Sequence, residues 1–168
     1  SHNPESNMKL ASGVAPVPDL LKADITVGIG TDGCASNNNL DLFSEMDTTA
    51  KLHKVNTLDP TVMDARTVVQ MATTGGAAAI GLDRQIGSLE PGKEADLIVI
   101  DTKNPRLAPL YNPISQVVYA ALGSDVRDVI VSGKMVVRNH KLLTIDLDDL
   151  LERVGSIGDT IKRELTKK

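Results

Sequence analysis

The chain has 168 residues, about one ordinary domain, and its 41% apolar content is enough to bury a core, so it reads as soluble and globular. Aromatic residues make up only 2%, with no Trp, which argues against a stacking platform for bases or sugars and leaves the core to aliphatic side chains and Met. The net charge is −4, the basic residues are scattered except for Lys162, Arg163, Lys167 and Lys168, and no apolar run nears the roughly 18 residues of a membrane span; neither nucleic acid nor membrane is expected as a partner.

The elements come in chain order. Residues 2–17 are rich in Asn, Pro, Ser and Gly with little periodicity, which predicts a long loop. Residues 16–23 place Val17, Leu20 and Leu21 at helical spacing behind a proline, a short helix. Residues 25–30 alternate Val27 and Ile29 with small residues and predict a buried strand running into Thr31-Asp32-Gly33. A polar loop over 35–39 precedes two helices, 42–55 and 61–79, with Gly75-Gly76 marking a break or tight packing in the second. From Ile86 the texture turns to strands: 95–100, 126–131 and 135–138, with a hairpin turn at Ser132-Gly133-Lys134. Residues 112–122 look helical. Residues 148–165 put Leu150, Leu151, Val154, Ile157, Ile161 and Leu165 on one stripe, an amphipathic helix.

Asp32 is the residue most open to a chemical reading. A carboxylate at the end of a buried strand stands where α/β barrels carry their catalytic groups; it can bind a metal and take a proton from the attacking water. The competing reading is an Asp that merely opens a turn before Gly33. Cys34 is a nucleophile or a small loop residue, and the loop is preferred because no histidine lies near it in sequence. His2, in a Pro-rich segment, is expected in a site-facing loop or on the surface, while His53, between Lys51 and Lys54, and His140 are expected to be solvated. With three scattered histidines, one cysteine and no His-x-His pair, the chain is poorly equipped for a zinc site of its own. The single cysteine and the absence of a secretory signal point to the cytoplasm.

Three ordered blocks carry a family likeness: Ser1-His2-Asn3-Pro4-Glu5-Ser6-Asn7-Met8-Lys9-Leu10-Ala11-Ser12-Gly13; Gly30-Thr31-Asp32-Gly33-Cys34-Ala35-Ser36-Asn37-Asn38; and Gly87-Ser88-Leu89-Glu90-Pro91-Gly92-Lys93-Glu94-Ala95-Asp96-Leu97-Ile98-Val99-Ile100-Asp101. They resemble the amidohydrolase superfamily over essentially the whole chain. The likeness is to its purine deaminase branch, in particular 5-methylthioadenosine/S-adenosylhomocysteine deaminases, with triazine chlorohydrolases and guanine deaminases as relatives.

The resemblance implies an α/β fold, the C-terminal portion of a (β/α)8 barrel. It comprises strands 7 and 8 with their helices (residues 1–85), part of a small β-sandwich (86–145) and a C-terminal helix (146–168). It implies that Asp32 ligates a divalent metal, zinc or iron, and acts as base while metal-bound hydroxide attacks a purine-type nucleoside. Ser36 with Asp32 would contact a small heteroaromatic substrate. The remaining ligands and the proton-donating Glu have no counterpart among these residues, and His2 falls at the end of the seventh strand rather than among the ligands. The chain alone is therefore expected to be inactive. Two strands of a barrel leave an open edge, so a homo-oligomer is also expected. The alternatives are a catalytically silent or oligomerisation domain, or a parent acting as chlorohydrolase or guanine deaminase.

Overall fold

The computed structural model describes residues 1–166; Lys167 and Lys168 of the terminal basic cluster lie outside the described residues. The chain forms helices α1 (Pro4–Lys9), α2 (Val17–Lys22), α3 (Leu42–Thr57), α4 (Ala65–Ala72), α5 (Thr74–Ala79), α6 (Pro113–Tyr119) and α7 (Leu147–Leu165). Its strands are β1 (Leu97–Ile100), β2 (Val126–Val131), β3 (Lys134–Arg138) and β4 (Lys141–Leu142).

Short polar side chains start the helices. Asp41 accepts from the Phe43 N–H at 2.9 Å to open α3, Asp64 from the Thr67 N–H at 2.8 Å to open α4, and Asn112 from the Ser115 N–H at 3.1 Å to open α6. Each satisfies a first-turn donor that has no partner within its helix, worth about 1 kcal/mol. Helices α3, α4 and α6 then pack on one another around Phe43, Met46, Ala50, Val68, Met71 and Val118, with Val27 and Leu107 closing the cluster.

The sheet is antiparallel in the order β1-β2-β3-β4. The β2–β3 connection is the expected hairpin: Ser132 (φ 47°) and Gly133 (φ 74°) both take the left-handed conformation that a two-residue turn of the strands' own twist requires.

Several expectations need correction. The stretch 2–17 is not all loop, since α1 lies within it; Pro4 at its first turn, Glu5 early and Lys9 late are start and stop signals on a helix too short to show periodicity. Residues 61–79 are not one helix. The chain leaves helical geometry at Thr73 (φ −122°, ψ −95°), ahead of the two glycines, while the Thr73 hydroxyl donates back to the Val69 carbonyl at 2.7 Å. The glycines serve close packing instead: a Cβ on Gly28 would lie 2.9 Å from the Gly76 Cα. Residues 25–30 are extended but pair through a single parallel bridge, His2 with Ile29. The His2 N–H donates to the Gly28 carbonyl at 2.8 Å and the Gly30 N–H to the His2 carbonyl at 3.0 Å.

Candidate active site

That bridge sets two segments side by side, one entering α1 and the other ending at Asp32. Asp32 itself is exposed and adopts φ 61°, an uncommon conformation for a residue with a side chain, though one that Asp tolerates better than most. Its Oδ2 accepts two hydroxyls at 2.7 Å each, from Ser6 on α1 and from Ser36 in the loop beyond it. The Ser36 hydroxyl also lies 3.1 Å from the Gly33 carbonyl. The Ser36 hydroxyl, then the Ser6 hydroxyl, then the Gly33 backbone hold the Asp32 carboxyl below the usual carboxylate range, so it is an anion at neutral pH. A polar cradle around one carboxylate oxygen is the local chemistry of an oriented ligand or base.

Beneath Asp32, α3 carries a polar column. Glu45, Thr49 and His53 recur every fourth residue and each is 0% exposed. Glu45 Oε2 accepts the Glu5 N–H at 3.2 Å, and its Oε1 accepts the Asn37 side-chain amide. Burial, with the nearby Glu5 charge adding to it, pushes Glu45 up to about 7 against the hydrogen bonds that favour its anion.

At the far end of the column, His53 Nε2 lies 3.1 Å from His2 Nε2, both rings buried. Burial first, then the neighbouring His53, lowers His2 to about 4, and burial lowers His53 as well, so both rings are neutral at pH 7. This corrects two expectations. His2 is neither at the surface nor in an open loop, and His53 is not solvated: Lys51 and Lys54 flank it in sequence but lie on other faces of the helix. His140 is exposed as expected, and Cys34 lies exposed in the loop after Asp32.

The structure thus brings Asp32 and Ser36 together and adds Ser6, Glu45 and Asn37. A signal for two of the last three was present: Glu45 heads a polar column at four-residue spacing beside the apolar residues Met46 and Ala50, and Ser6 stands two positions after a helix-starting Pro.

An anionic, hydroxyl-cradled carboxylate suits a hard or borderline metal ion. No group of three or more His, Cys, Asp or Glu residues among the described residues could hold one, so Asp32 fits one position of a ligand set rather than a complete site.

The sequence of the amidohydrolase family matches residues 1–136, and the chain belongs to that family. Among curated relatives it is 61% identical over 96% of its length to the 5-methylthioadenosine/S-adenosylhomocysteine deaminase of Syntrophobacter fumaroxidans, and 50% identical over 96% to the 5'-deoxyadenosine deaminase of Methanosarcina acetivorans. It spans 37% of the length of each. Among solved structures, an adenosine deaminase from Xanthomonas campestris with bound zinc superposes with a TM-score of 0.93 at 44% identity, over 96% of this chain and 37% of that one. No described helix is long and apolar enough to cross a membrane.

Proposed function

We propose that the chain supplies the acidic strand end of a metal-dependent hydrolase that removes the amino group from the adenine ring of a nucleoside, with 5-methylthioadenosine or S-adenosylhomocysteine as substrate. The observation that carries this is the exposed, ionised Asp32, cradled by two serine hydroxyls at the end of an extended segment in parallel register with its neighbour. The names of the relatives supply the substrate class.

The residues act as follows. Asp32 holds one ligand position and accepts the proton released as water adds to the ring. Ser6 and Ser36 fix the carboxylate's orientation, and Ser36, having donated its hydrogen, keeps oxygen lone pairs free to accept from a hydroxyl of the substrate. A divalent metal, zinc before iron, would activate water and stabilise developing negative charge. The other ligands and the ring-protonating acid belong to sequence outside these residues.

In the complete fold the extended segments at His2 and Ile29 are barrel strands 7 and 8. Residues 1–85 belong to the barrel, 86–145 to the small sandwich and Leu147–Leu165 to a terminal helix. An open apolar groove of about 620 Å³, lined in part by Ile29, Ala72, Ile80, Ile86, Leu89 and Ile98, supports a fold in which further elements cover these faces. A homo-oligomer in the cytoplasm completes the reading; the free, exposed Cys34 suits a reducing compartment.

The full-length enzyme should release ammonia from 5-methylthioadenosine, S-adenosylhomocysteine or 5'-deoxyadenosine. Asp32→Ala should lower kcat by about 10³-fold or more. Silence across a panel of purine nucleosides and triazines would sink the deaminase reading.

A second reading applies to the 168 residues acting alone, and the lack of a three-ligand cluster among the described residues favours it: no turnover and no tightly held metal. Elemental analysis should find close to no zinc, iron or manganese per chain. One equivalent, lost on Asp32→Ala, would overturn it.

A further inference from the structure

We propose that Glu45 is a positioning residue for Asp32: a buried clamp whose two carboxylate oxygens tie down the two segments that each deliver a serine hydroxyl to Asp32. The inference rests on the reading of Asp32 as ligand and base. Glu45 makes no hydrogen bond to Asp32. It reaches it by two arms of the same form. On one, Oε2 accepts the Glu5 N–H at 3.2 Å, and the next residue, Ser6, donates to Asp32 Oδ2 at 2.7 Å. On the other, Oε1 accepts the Asn37 amide, and the preceding residue, Ser36, donates to the same Oδ2 at 2.7 Å.

The joints are buried: Glu45 is 0%, Ser6 2% and Asn37 3% exposed. Other ties between the same segments, Lys9 Nζ to the Ala35 carbonyl at 2.7 Å and Asn39 Nδ2 to Glu5 Oε2 at 3.2 Å, are exposed, where water competes for both partners. The arms come from segments far apart in sequence, and apart from Asp32 itself and the exposed ties their one buried joint is Glu45 on α3.

The residue type follows from the geometry. Both arms present donors, a backbone N–H and an amide NH2, so the clamp must offer two acceptors and no donor in a buried place. Among side chains only the ionised carboxylate does this, the form Glu45 takes above about 7, whereas Gln offers one acceptor and would set its own NH2 against a donor. An apolar side chain of the same size would leave both donors unpaired. Misplacing a ligand or base by about 1 Å costs on the order of 10²-fold in rate, which is why a site gains from a rigid support behind its first contacts.

The test pairs a break with a repair. Glu45→Gln should loosen both arms at once. In hydrogen exchange of the chain, the amides of Asn37, bonded to the Gly33 carbonyl, and of Leu10, bonded to the Ser6 carbonyl, should lose roughly 5- to 100-fold of their protection. The double variant Glu45→Gln with Asn37→Asp reverses the polarity of one arm: the new amide donates to the new carboxylate while its oxygen still accepts from Glu5. Protection should return in both segments.

Met46→Ala, on the same helix but in the apolar core, should lower overall stability without selectively loosening the pair. In the full-length enzyme, Glu45→Gln should lower kcat about tenfold or more with little change in KM, and the double variant should recover it. Loss confined to one arm, absence of rescue, or an effect on KM alone would overturn the clamp. An enzyme that releases no ammonia from any nucleoside, yet shows the paired loss and rescue of protection, would sink the substrate reading and leave the clamp standing.

Discussion

Helices α3 and α7 are close in length, 16 and 19 residues, and opposite in what they bury. The apolar stripe of α7 is long and regular, yet none of its described residues is buried and Leu151 and Ile157 are about 60% exposed. α3 has a weak pattern and buries Phe43, Met46 and Ala50 together with Glu45, Thr49 and His53. A strong stripe says which face of a helix seeks cover, not whether cover is present. A weak one can hide a buried polar face, where Glu45 has partners on both oxygens while Thr49 Oγ1 and His53 Nδ1 have none among the described residues.

The sharpest way to break this contrast is to truncate one apolar side chain on each helix. Phe43→Ala should cost about 3–5 kcal/mol in denaturant unfolding, because it empties space in the cluster around α3. Ile157→Ala should change stability by no more than about 0.5 kcal/mol at concentrations dilute enough to keep the chain monomeric. Equal costs would mean that α7 is covered in solution.

Next comes pH, which tests whether the polar column of α3 is buried as described. His2, near 4 when folded against 6.5 for the free group, stays neutral while the unfolded chain takes up a proton. Its contribution is complete above pH 6.5 and is lost as the pH falls towards 4, on the order of 3 kcal/mol. Glu45, near 7 against 4.5, does the reverse: its contribution is complete below pH 4.5 and is lost as the pH rises to 7, by a similar amount. His53 is lowered in the same direction as His2, so the native chain should gain stability as the pH rises from 4.5 to 6.5, though by less than the two histidines alone would give, because Glu45 opposes them. Glu45→Gln should uncover the full histidine slope, with stability falling on acidification; a profile unchanged by that substitution would place Glu45 in solvent.

The exposed stripe of α7 should drive self-association visible by light scattering, and Ile157→Asp should reduce the measured mass. A clean monomer before substitution would count against it. The smallest effect lies at the surface: Ser36→Ala, and to a lesser degree Ser6→Ala, should raise the titration point of Asp32 followed by carboxyl NMR.

The place of Asp32 just beyond residues 25–30 was legible as a spacing signal, while its role as ligand and base belongs to the proposal. α7, β2, β3 and the Ser132-Gly133 turn were legible because their periods and turn chemistry are local. The burial of Glu45 and His53 was not. A polar column at four-residue spacing has the same pattern whether it meets water or buried partners, and only the tertiary fold, which brings Glu5, Asn37 and His2 to α3, decides between them. A break or tight packing was expected at Gly75-Gly76, but the place of the split at Thr73 was not, and the packing of Gly76 against Gly28 joins residues far apart in the chain.

The meeting of His2 and His53 carries a further consequence in its proton count. Only one hydrogen fits between two ring nitrogens 3.1 Å apart, so if it belongs to one ring, the other must carry its own on Nδ1. Neither Nδ1 has a hydrogen-bond partner among the described residues. The pair is a one-bit tautomeric register that joins the segment before α1 to α3, and ring 15N shifts would read which of its two settings is occupied.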